Sequence, residues 1–109
     1  DVRLSPERAF MGIYAKGKDP NKGIQGLLER EGIQYIWIPE LGNPFMKDKD
    51  WKPKFQLHWE QNKDSLCSRL YELNIPFCLL CCEKYASTCH RKVISDYLAD
   101  KGYEVKHLE

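Results

Sequence analysis

The unbroken apolar run Pro76-Phe77-Cys78-Leu79-Leu80-Cys81-Cys82 is the feature that most constrains the fold. A short continuous apolar segment of this kind is the pattern of a strand buried on both faces, which requires helices above and below a parallel sheet. The rest of the chain alternates to match. Asp1-Val2-Arg3-Leu4 reads as the tail of a strand stopped by Ser5-Pro6, and 24–30 as a short helix capped by Asn21 and closed by Gly32. Ile33 to Ile38 is β-branched and aromatic and is stopped by Pro39, the pattern of a second strand. Trp59, Leu66, Leu70 and Leu73 recur at helical spacing across 55–73. Ser87 or Thr88 is placed to cap a further helix bearing Val93, Ile94, Tyr97 and Leu98, with Gly102 ending it and 103–108 alternating as an edge strand. The order strand, helix, strand, helix, strand, helix, strand predicts an α/β fold, a mostly parallel small sheet with helices packed on its faces.

Composition fits such a domain. The 109 residues suffice for a single unit over 1–109, with 42% hydrophobic and 30% charged residues. No apolar run approaches the roughly 20 residues that span a bilayer, so no membrane contact is expected. A net charge of +1 makes no whole-chain case for nucleic acid. Five cysteines is an odd number, and Cys78, Cys81, Cys82 and Cys89 fall within 78–89 rather than spread as a disulfide framework. That pattern predicts free thiols and a cytoplasmic protein. Because the chain opens at Asp1 without a methionine, a preceding segment is expected.

Ligands of open α/β sheets bind beyond the carboxyl ends of the strands. The predicted topology gathers Asp1, Arg3, Glu40, Cys81, Glu83 and the Cys89-His90-Arg91 turn there. His90, Arg91 and Lys92 crowd the start of a helix, where cations are disfavoured by roughly 0.3–1 kcal/mol each. Such a departure from a local rule marks a functional site. The candidate catalytic residues are Cys81 as nucleophile and Glu83 with His90 for proton transfer. The candidate ligand-binding residues are Asp1, Arg3, Glu40, Cys89 and Arg91, the arginines and helix amides holding an anion. The order Cys-Cys-x6-Cys-His is not a zinc-site spacing, and adjacent strand residues diverge, so no metal and no cofactor is expected. Trp51 among Lys47, Lys49, Lys52 and Lys54 suits nucleobase stacking, but Asp48 and Asp50 dilute the charge, and a solvated loop is the preferred reading.

The same residues carry a resemblance. Asp1-Val2-Arg3 with Pro6, then Tyr35, Pro39-Glu40-Leu41-Gly42, Leu80-Cys81-Cys82-Glu83-Lys84, Cys89-His90-Arg91 and His107-Leu108 resemble the uncharacterised family catalogued as domain of unknown function 488. The resemblance covers nearly the whole chain and implies a fold and a site without assigning a reaction. It also implies that a first strand and helix are lacking here, leaving a sheet edge that a homodimer partner would cover. The functional expectation is a crevice binding an anionic small molecule that bears a phosphate or nucleotide, with hydrolase or transferase chemistry open. The alternatives are a non-catalytic module for nucleic acid or protein, and a thiol redox sensor built on Cys81 and Cys89.

Overall fold

The computed structural model describes residues 1–9 and 12–108. Helical turns make up 47% of it and strand 1%, and no sheet is found. The expected α/β architecture is therefore corrected: among the described residues the regular structure is helical. Among the described residues four α-helices occur, α1 (Gly23–Arg30), α2 (Trp51–Leu66), α3 (Ser68–Tyr71) and α4 (Arg91–Asp100). Short 3-10 turns stand at Pro6–Arg8, Gly12–Tyr14, Pro39–Leu41 and Ala86–Thr88. An isolated antiparallel bridge joins Lys16 to Gly23.

The sheet fails for a local reason. Three of the four segments read as strands lie side by side, but few backbone hydrogen bonds join them; the Asp1 amine donates to the Ile36 carbonyl (2.7 Å). The Ile38 amide donates to the Asp1 carbonyl (2.9 Å) and the Val2 amide to the Leu80 carbonyl (3.0 Å). A ladder needs successive pairs. Pro6 turns the first segment into a 3-10 helix, and Pro39 does the same to the second, before such pairs accumulate. No residue of the apolar run 76–82 is buried, against the expectation of burial on both faces. Residues 103–108 are exposed and touch the run through Tyr103, whose ring meets Phe77 edge-on at 6.2 Å, and a cavity of about 580 Å³ is lined by Phe77, Leu79, Tyr103 and Val105.

The helices follow their apolar spacing. α2 begins at Trp51, ahead of the predicted start, because Pro53 falls in the first turn, where its missing N–H leaves no gap. It buries Phe55 and Trp59, breaks at Cys67, and resumes as α3 with Leu70 inward. α4 buries Ile94 and Leu98, and Gly102, at φ +100°, turns the chain after it. These residues join Val2, Ile38, Leu41 and Cys67 in one core. The Phe55 and Trp59 rings stack at 6.2 Å and Tyr97 meets Trp59 edge-on at 5.6 Å. α1 starts after Lys22, with Gly23 at φ +65°, where a Cβ would sit 2.1 Å from the Ala15 carbonyl oxygen. No helix among the described residues is long and apolar enough to cross a membrane.

Candidate functional site

His90 is the residue before α4, where a Ser or Thr would ordinarily accept from the first free amides. Its ring is used elsewhere. Nε2 lies 3.0 Å from the Val2 carbonyl oxygen and 3.0 Å from the Leu41 carbonyl oxygen. Carbonyl oxygens only accept, so Nε2 carries the proton and donates to both. Phe55 packs edge-on against the imidazole at 5.3 Å, and the residue is 5% exposed. The expected caps, Ser87 or Thr88, lie instead in the turn Ala86–Thr88, where the Thr88 hydroxyl donates back to the Tyr85 carbonyl (2.9 Å).

Nδ1 faces sulfur. Cys89 Sγ is 3.7 Å away and Cys81 Sγ 4.0 Å. The three donor atoms lie within 4.8 Å of one another. Cys89 also accepts the Arg91 amide (3.5 Å), the first free N–H of α4. Hydrogen bonding from Cys81 first, then His90 and the Arg91 amide, outweighs burial and draws the Cys89 thiol down to about 5. Cys81 moves the opposite way, because it keeps the proton it donates to Cys89 and because it is buried. The pair thus favours one thiolate, on Cys89. Glu83 Oε2 accepts from the thiols of Cys81 (3.4 Å) and Cys82 (3.1 Å). Burial acts to raise that carboxyl, and the thiol hydrogen bonds prevail and lower it. Cys81, Cys82 and Glu83 form a second, more exposed donor group. All five cysteines are free thiols.

Cys81, Cys89 and His90 line a cavity of about 320 Å³ with Arg3, Asn43, Trp51, Glu83 and Thr88 among its walls. Arg8 and Lys47 border it as well, both exposed and neither in an ion pair among the described residues. The cavity beside 103–108 is larger, but apolar side chains dominate its walls. Converging polar groups, rather than volume, identify the smaller one as the candidate site.

The sequence-predicted site residues divide between these places. Cys81, Glu83, Cys89, His90 and Arg3 border the candidate cavity. Asp1 does not; its carboxylate is fully buried behind Arg3, whose Nε and Nη2 reach it at 2.9 and 2.8 Å. Arg3 Nη1 donates to the Tyr14 carbonyl (2.7 Å), and the Tyr35 hydroxyl donates to the same Asp1 carboxylate. Arg91 borders the larger cavity and clasps the loop, giving Nη1 to the Glu83 carbonyl (2.6 Å) and Nη2 to the Lys84 carbonyl (3.0 Å). Glu40 pairs with Arg69 at 3.1 Å on the surface. Arg8 carried no sequence signal; Lys47 did, through Trp51, and both it and Trp51 reach the site.

Residues 1–98 match the family described as Domain of unknown function DUF488, and the chain belongs to that family. No curated protein and no solved structure matches it.

Proposed function

We propose that this DUF488-family chain uses the cavity above Cys89 and His90 to bind a small anionic ligand, a phosphate ester carrying a planar ring. The observation that carries the reading is the rim: Arg8 and Lys47 flank the opening without carboxylate partners among the described residues. Arg3 and Arg91, the arginines first expected to hold the anion, are saturated by Asp1, Tyr14 and the 83–84 carbonyls and give their donors to the fold. Two exposed cations without partners favour an anion between them. A pair of opposite charges about 4 Å apart near a protein surface gains up to about 4 kcal/mol, with salt screening reducing it. Half-buried Trp51 supplies an aromatic wall against which a base can stack, contributing about 1–3 kcal/mol. Together these groups favour nucleotides over inorganic phosphate.

A thermal-shift screen of nucleoside mono- and diphosphates on the wild type and on the Arg8→Ala/Lys47→Ala double variant tests this. The wild type is expected to gain melting temperature with at least one nucleotide. The double variant is expected to melt at the same temperature without ligand, since both side chains are exposed, and to lose affinity about tenfold or more. Equal ligand shifts in the two proteins, or none in the wild type, would sink the proposal.

A further inference from the structure

We infer that Cys81, Cys89 and His90 bind one divalent cation of the zinc class, leaving its fourth coordination position open to the cavity. The inference stands apart from anion binding, because it uses none of the rim cations.

Three observations carry it. The first is size. Around a tetrahedral zinc, with Zn–S about 2.3 Å and Zn–N about 2.0–2.1 Å, sulfur and nitrogen ligands stand about 3.6 Å apart and two sulfurs about 3.8 Å. Here Nδ1 lies 3.7 Å from Cys89 Sγ and 4.0 Å from Cys81 Sγ, with the sulfurs within 4.8 Å. The donor atoms need shifts of a few tenths of an ångström for nitrogen to sulfur, and no more than about 1 Å between sulfurs.

The second is orientation. A metal-bound histidine commonly donates its other ring N–H to a backbone carbonyl or carboxylate, which fixes the tautomer and the ring. His90 does so twice, to Val2 and Leu41, from segments distant in sequence. The result is a buried Nδ1 facing two cysteine sulfurs at 3.7 and 4.0 Å. The third is the donor set itself. Two thiolates and an imidazole suit zinc over magnesium or calcium, and three protein ligands with a vacant vertex is the form of a site that engages a ligand or water. The ion needs both sulfurs and Nδ1 unprotonated, so whatever protons they hold at the working pH pass to solvent on binding. Glu83 Oε2 lies 3.4 Å from Cys81 Sγ in the wall of the same cavity.

The sequence sets a metal aside here because Cys-Cys-x6-Cys-His matches no zinc spacing and the adjacent Cys81 and Cys82 diverge. In the structure Cys82 is exposed and belongs with Glu83, and the ligand set pairs Cys81 with the distant Cys89.

The test is a zinc titration of the reduced full chain against a chromophoric chelator, with a cobalt(II) spectrum of the wild type. One equivalent of zinc is expected, and bound cobalt is expected to show tetrahedral d–d bands with a sulfur charge-transfer band. His90→Gln can keep the donor to the Val2 and Leu41 carbonyls while removing Nδ1, so it separates metal binding from folding. His90→Gln and Cys89→Ser are expected to weaken zinc more than about tenfold, the minimum effect of disturbing even an outer partner. Cys82→Ser and Arg8→Ala/Lys47→Ala are expected to bind zinc as the wild type does. Cobalt bound without a sulfur band would overturn the inference whether or not any variant folds. So would zinc affinity lost with Cys82→Ser, or unchanged by His90→Gln.

Discussion

At His90 one ring nitrogen is committed to holding the fold together and the other faces two cysteine sulfurs. The Nε2–H ties the first segment to the Pro39–Leu41 turn, and Nδ1 is left facing Cys81 and Cys89. Cys89 consequently collects donors from three directions, whereas fully buried Cys67 meets an apolar core that pushes its thiol up to about 11. With a chelator present, thiolate ultraviolet absorbance is expected to rise by one equivalent as pH increases through about 5. That thiolate persists at neutral pH and is lost on acidification below 5, because the shift is downward. Cys89→Ser is expected to lack the step, and Cys67 to contribute only near pH 11. An acid step that survives in Cys89→Ser would place the thiolate elsewhere. Much of this cluster was legible in the sequence, since Cys81, Glu83, Cys89 and His90 sit on one short loop. Arg3 and Arg91 misled for an equally physical reason: a sequence does not display the backbone carbonyls that saturate a guanidinium. Exposed Arg8 carried no pattern at all, and only the turn at Pro6–Arg8 brings it to the cavity.

Among the elements, the 3-10 turn Pro39–Leu41 does more than end an extended segment. Its Leu41 carbonyl holds His90, and Gly42 lets it approach the first segment. A Cβ on Gly42 would lie 2.7 Å from Leu4 Cα and 2.9 Å from Leu4 N, and backbone cannot move aside cheaply. Gly42→Ala is therefore expected to destabilise the protein by about 1–3 kcal/mol in denaturant unfolding, and to weaken zinc binding by shifting the Leu41 carbonyl. A variant as stable as the wild type would refute that close approach. The helices were readable from apolar spacing, with Phe55, Trp59, Ile94 and Leu98 all inward. The sheet was overread. β-branched and apolar runs report that a segment is extended, but not that it acquires neighbours. Here the prolines at 6 and 39 turn two segments away after few hydrogen bonds, and 103–108 makes no ladder with 76–82.

Across the whole molecule two cavities compete for a ligand on different physical grounds. The larger, about 580 Å³, lies between 73–79 and 103–108 and offers apolar contact. The smaller, about 320 Å³, joins the Arg8 and Lys47 rim to the Cys89–His90 floor and the Trp51 wall, so charge, stacking and metal-ligating groups coincide in one place. The proposed anionic, ring-bearing ligand is expected in the second, although the first has more room. The most direct test follows amide and indole resonances in ¹H–¹⁵N spectra during titration with a nucleoside diphosphate. Saturable shifts confined to Leu4, Ser5, Arg8, Asn43, Lys47, Thr88, Cys89 and the Trp51 indole are predicted, with little change at 103–108. Shifts confined to 103–108 and 75–79, or none at saturating nucleotide, would contradict the account.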